Sequence, residues 1–74
     1  MKNVYEYTSE KFNTTYLIEV LHKRDGSFLA VPVDASGRRA RSKNCRRANL
    51  LPRVVKTIIT DVLETKPPAE VFAQ

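Results

Sequence analysis

The sequence predicts an α+β domain: a three-stranded antiparallel sheet, four-stranded where the N-terminus pairs, packed against one C-terminal amphipathic helix. Three observations carry this expectation. Two β-rich runs, TTYLIEVLHKR and SFLAVPVD, flank Asp25-Gly26, a dipeptide that favours a hairpin turn. A second turn sequence, DASG at 34–37, follows the second run. From Leu50 onward apolar residues recur in pairs every four positions (Leu50/Leu51, Val54/Val55, Ile58/Ile59, Val62/Leu63), which fits one broad helical face and not strand alternation.

Taken in chain order, NVYEYTSEKF alternates enough to supply an additional strand, with Tyr5 and Tyr7 on one side and Val4 and Glu6 on the other. Strands are expected at about 15–24 and 27–34. A two-residue type I′ turn at Asp25-Gly26 pairs His22 with Leu29, Val20 with Val31 and Ile18 with Val33. That register gathers Tyr16, Ile18, Val20, Leu29, Val31 and Val33 on the core face and leaves Leu17, Glu19, Leu21, Lys23, Phe28, Ala30 and Pro32 on the open one. Pro32 cannot donate to a ladder, so its N–H position must meet an edge or a bulge. A third strand at about 38–44 follows Gly37, with a basic helix over 38–48 as the competing reading. Burying Arg39, Arg41 and Lys43 unpaired would be costly, so they are placed on the open face. Asn49 is the expected N-cap of a helix over about 50–65, with Pro52 in the first turn, where its missing N–H costs nothing. Lys66-Pro67-Pro68 ends the helix. Residues 1–66 are thus read as a single domain, and 67–74 as a tail whose Val71 and Phe72 fold back on the core or dock on a neighbour.

Charge is segregated along the chain. Residues 1–34 hold four cations and five acids, 35–60 eight cations and no acid, and 61–74 one cation and three acids. A surface charged only for solubility would intersperse the signs, so the block favours a polyanionic partner. RRARSKNCRR at 38–47 has six cations, five of them arginine, whose guanidinium forks suit phosphate and guanine. On a strand, Arg39, Arg41 and Lys43 would project at about 7 Å intervals, near the spacing of phosphates. The expected nucleic-acid-binding residues are Lys23, Arg24, Phe28, Arg38, Arg39, Arg41, Lys43, Arg46 and Arg47, with Phe28 available to stack on a base.

The segment KRDGSFLAVPVDASGRRARS resembles the sheet of integrase arm-binding domains and of the related plant ethylene-response-factor domains. It shares with them a charged Asp-Gly turn, an aromatic residue two positions later, a second turn with Asp and Gly, and a basic strand before an amphipathic helix. The resemblance covers about residues 16–64. It implies that the outer face of the sheet enters the DNA major groove, through Lys23, Arg24, Arg39, Arg41 and Lys43.

Other functional classes lack parts. The two glycines are far apart, so there is no phosphate loop, and His22 and Cys45 are each the only residue of their kind. No catalytic activity, metal or cofactor is expected. The absence of an apolar run of about 20 residues, and of a signal-peptide pattern, predicts a cytoplasmic protein with no membrane association. The expected partner is DNA or RNA, bound in an accessory or regulatory role. The alternative is a protein-interaction module, such as a small phage or mobile-element factor that binds and inhibits a host protein. At 74 residues a homodimer is also in view, because small cores gain from oligomerisation.

Overall fold

The computed structural model describes residues 3–73. Strands β1 (Val4–Ser9), β2 (Thr14–His22), β3 (Phe28–Val33) and β4 (Lys43–Cys45) form one antiparallel sheet in chain order. A continuous helical segment follows: a 3-10 turn at Ala48–Leu50, helix α1 at Leu51–Ile58 and a π turn at Ile59–Leu63. After Pro67 comes the single turn α2 (Pro68–Val71). The expected α+β class and the additional N-terminal strand are both present.

The helical layer covers one face of the sheet. Tyr16, Ile18 and Ala30 pack against Val55, Ile58, Leu63 and Phe72, while Val20, Phe28, Cys45 and Leu51 form a second cluster nearer the β2–β3 hairpin. Leu51, Val55 and Ile58 follow an ordinary helical stripe. The π turn then inserts one residue: Glu64 N–H donates to Ile59 O, five positions back, at 2.9 Å. This rotates Leu63, five after Ile58, fully into the core. Asn49 does not cap. The extended residue before the 3-10 turn is Arg47, and no side chain bonds to the exposed N–H groups there or at the start of α1. The tail folds back, with Phe72 completely buried and stacked on Tyr16 at 5.7 Å and 20°. The core therefore extends past residue 66.

The β2–β3 register differs from expectation by one residue. Observed pairs are His22 with Phe28, Val20 with Ala30 and Ile18 with Pro32. Arg24-Asp25-Gly26 is a three-residue loop, closed by Gly26 N–H to Lys23 O (3.1 Å) and Lys23 N–H to Ser27 O (2.8 Å). Only Gly26 has positive φ, at 89°, so this is not a type I′ turn but a turn followed by a left-handed residue. Asp25 Oδ1 accepts from Ser27 N–H at 2.9 Å and Ser27 Oγ at 2.6 Å, which fixes the longer loop. One residue of slip exchanges the faces of β3. Phe28, Ala30 and Pro32 point to the helix, and Leu29, Val31 and Val33 lie on the outer face with Leu17, Glu19 and Leu21.

The third strand of the sequence reading is mostly replaced by an irregular segment. Ala40 N–H donates to Pro32 O at 2.9 Å, so the main chain of Pro32 faces this segment and its missing N–H interrupts the ladder. Pairing occurs at Val33 with Arg39 and resumes at Ala30 with Lys43. Three steps along β3 thus face four along its neighbour, which is a bulge. Of the edge or bulge expected at Pro32 the structure has the bulge, and it shortens β4 to Lys43–Cys45.

Candidate nucleic-acid interface

The bulge breaks the alternation that would have aligned Arg39, Arg41 and Lys43. Arg39 lies on the outer face, where its Nη2 is 3.4 Å from Glu19 Oε1. Lys43 is opposite Ala30, a helix-side residue, and Arg41 lines a groove with Val62, Lys66 and Glu70 at the far end of the helix. The row of three cations expected from strand spacing is not formed.

Arg38 is engaged locally. Asp34 Oδ2 accepts from Arg38 Nε at 2.9 Å, and Oδ1 accepts from Arg38 N–H (2.8 Å), Ser36 N–H (3.0 Å) and Ser36 Oγ (2.9 Å). Desolvation alone would raise the Asp34 carboxyl, but the bonds from Arg38 and Ser36 outweigh it and hold the group below its ordinary 3.8. A depressed carboxyl contributes stability that is fully present above the ordinary value and is lost as pH falls through the lower folded-state value. Asp34→Asn is therefore expected to be less stable than the parent near neutrality, with the difference closing in acid below 3.8. Urea unfolding at both pH values checks this.

The other cations converge at the opposite end of the sheet. His22, Phe28 and Cys45 form one row across β2, β3 and β4. The β2–β3 loop with Lys23 and Arg24 projects just beyond that row, and the chain leaving Cys45 carries Arg46 and Arg47 out on the same side. Lys23 Nζ donates to Asn44 Oδ1 at 3.4 Å, joining loop to strand. Leu51 packs on Val20, Phe28 and Cys45, which anchors the start of α1 here and brings the exposed Arg53 of its first turn into the group. Among the described residues, no acidic side chain forms an ion pair with Lys23, Arg24, Lys43, Arg46, Arg47 or Arg53. The acid of the β2–β3 loop, Asp25, turns its Oδ1 toward Ser27, whose hydroxyl and N–H lower its pKa below 3.8. No acid occupies the first helical turn either, so the uncapped N–H groups and the helix dipole add positive potential at this same end.

Of the expected residues, Lys23, Arg24, Lys43, Arg46 and Arg47 are brought together, whereas Arg38, Arg39 and Arg41 are not. Phe28 is corrected outright: it is 5% exposed and belongs to the core. The exposed ring near the basic end is His22, which stacks on Phe28 at 4.6 Å and 11°. Arg53 was missed by the sequence reading. The available signal was that a helix beginning directly after a basic run places its first-turn residues beside that run.

The far end of the molecule is mixed in sign. Tyr7 Oη and Ser9 Oγ both donate to the Glu64 carboxylate, and Lys11 Nζ donates to Glu64 O, tying the β1–β2 turn to the end of the helix. Accepting from the Tyr7 hydroxyl, Glu64 raises the pKa of that phenol above its ordinary 10.0. Among the described residues there is no cluster of three or more potential metal-ligating side chains, and no helix long and apolar enough to cross a membrane. No family model, characterised protein or solved structure matches the chain.

Proposed function

We propose that this is a small, non-catalytic nucleic-acid-binding protein that grips the phosphate backbone with its basic end. The observation that carries the reading is the gathering of Lys23, Arg24, Lys43, Arg46, Arg47 and Arg53, from the β2–β3 loop, β4, the chain leaving it and α1, around an uncapped helix start with no acidic ion-pair partner among the described residues. Cations concentrated in this way raise the local concentration of a polyanion and release its condensed counterions on contact. Arginine supplies four of the six, which suits forked contacts to phosphate oxygens. The stacked His22 ring at the margin offers a flat surface to an unpaired base. Backbone contact of this kind positions the protein on its partner without specifying a sequence.

The test is fluorescence anisotropy with mixed-sequence duplex DNA, single-stranded DNA and structured RNA at a series of salt concentrations. If all six cations reach phosphates, the logarithm of the duplex association constant is expected to fall with the logarithm of salt with a slope of about −5. A preference for single strands would add base stacking on His22 to the phosphate contacts. Absence of binding at low salt would overturn the reading.

A further inference from the structure

We propose that two copies of this chain pair through the outer face of the sheet, about a two-fold axis parallel to the strands. The helical layer covers only one face. The other presents Val4 (45% exposed), Leu17 (37%) and Leu21 (43%) with the half-buried Leu29. Val31 and Val33 also lie on this face but are nearly buried, and the Arg39–Glu19 ion pair links the two segments that flank β3. An apolar sheet face packs well against another sheet at about 10 Å, as in a sandwich.

The pattern of charge selects the occupant. Glu6 pairs with Leu17, Leu17 with Val33, and Val33 with Arg39, so one row across the sheet reads acid, leucine, valine, arginine. Turning a second copy about an axis parallel to the strands lays β1 over β4. Arg39 of one copy then faces Glu6 of the other, Leu17 lies over the strand position of the nearly buried Val33, and both juxtapositions recur by symmetry. An in-plane axis perpendicular to the strands would instead lay β1 over β1 and β4 over β4, setting like charges together. The row is thus complementary to itself in one orientation only. The longest dimensions of the molecule, 34 and 22 Å, bound a face near the about 800 Å² per partner of a standard interface, so a reversible dimer has to use the whole face.

Pairing through this face is independent of nucleic-acid binding and is measured without nucleic acid. One consequence does rest on that function: the chosen axis preserves strand direction, so both basic ends emerge on the same side of the dimer and form a doubled cationic surface.

Sedimentation equilibrium of the full chain across the micromolar range is expected to show reversible dimerisation, to twice the 8.5 kDa chain mass. Leu17→Asp, at an exposed position, should keep its far-UV circular dichroism and associate more weakly by a factor of about ten or more, because it places an unpaired charge in the contact. Glu6→Arg and Arg39→Glu should each weaken self-association. Mixed in equal amounts they should recover a heterodimer, since every facing pair is then of opposite sign. A chain that stays monomeric throughout, a dimer indifferent to Leu17→Asp, or a mixture that fails to recover would each overturn the proposal.

Discussion

Phe72→Ala is expected to leave much of the chain unfolded at room temperature, although the residue is the third from the end of the sequence. Its ring is fully buried against Tyr16 and belongs to the cluster of Ile18, Ala30, Val55, Ile58 and Leu63. Removing a buried phenylalanine costs about 3–5 kcal/mol, from the forfeited transfer energy and the cavity left behind. A domain of this length is held by roughly 4–11 kcal/mol in total, and small domains fall toward the lower end. The Pro67-Pro68 step sharpens the prediction. Pro67 is extended, with φ −65° and ψ 153°, and Pro68 opens α2, so the chain is already bent toward the core before Phe72 arrives. Truncation after residue 66 should be as damaging as the substitution, whereas Ala73, which is exposed, should tolerate change. Urea denaturation followed by circular dichroism measures this, and a midpoint within experimental error of the parent would show that the tail is not part of the core.

The same packing shows what the sequence made legible. Val71 and Phe72 stood out as apolar residues in a polar tail, and the choice between folding back and docking elsewhere turned on packing volume, which a linear pattern does not contain. The alternation of β1, the paired apolar positions of the helix and the place of both turns were readable, because each is a local periodicity or a local turn chemistry. Loop length was not. Asp25-Gly26 accommodates a two- or a three-residue loop, and the deciding bonds come from Ser27, which stands two positions after Asp25 just as Ser36 does after Asp34. Nor could the hydrophobic pattern of β3 correct the error, since FLAVPV is apolar at every position and looks the same from either face. That single ambiguity misplaced Phe28, and the bulge at Pro32 then dispersed the expected row of cations. The charge block itself was visible from composition. Its division into a locally paired part at Arg38 and Arg39 and a convergent part at Arg46 and Arg47 depended on where the strands end.

This division yields the second large effect. Replacing Lys43, Arg46 and Arg47 together with alanine is expected to lower nucleic-acid affinity by on the order of a hundredfold at moderate salt and to reduce the salt slope by about three, one for each phosphate no longer neutralised. Replacing Arg38 and Arg39 with alanine removes nearly as much charge from the same stretch of sequence, yet should leave that slope almost unchanged. Arg38 is held by Asp34 and Arg39 by Glu19, at the end of the sheet away from the basic cluster or on its outer face. A partner drawn only by net charge would respond to both variants in proportion to the charge removed, because long-range attraction does not distinguish where on a small protein a cation sits. A partner seated on the basic end must distinguish them, since counterions are released only where cation and phosphate meet. The triple variant alters exposed side chains with no ion pair among the described residues and should unfold at the same urea midpoint as the parent. Its weakened binding would then report on the surface and not on the fold. Equal losses of affinity in the two variants, or an unchanged slope in the triple variant, would count against the basic end as the place where phosphate is held.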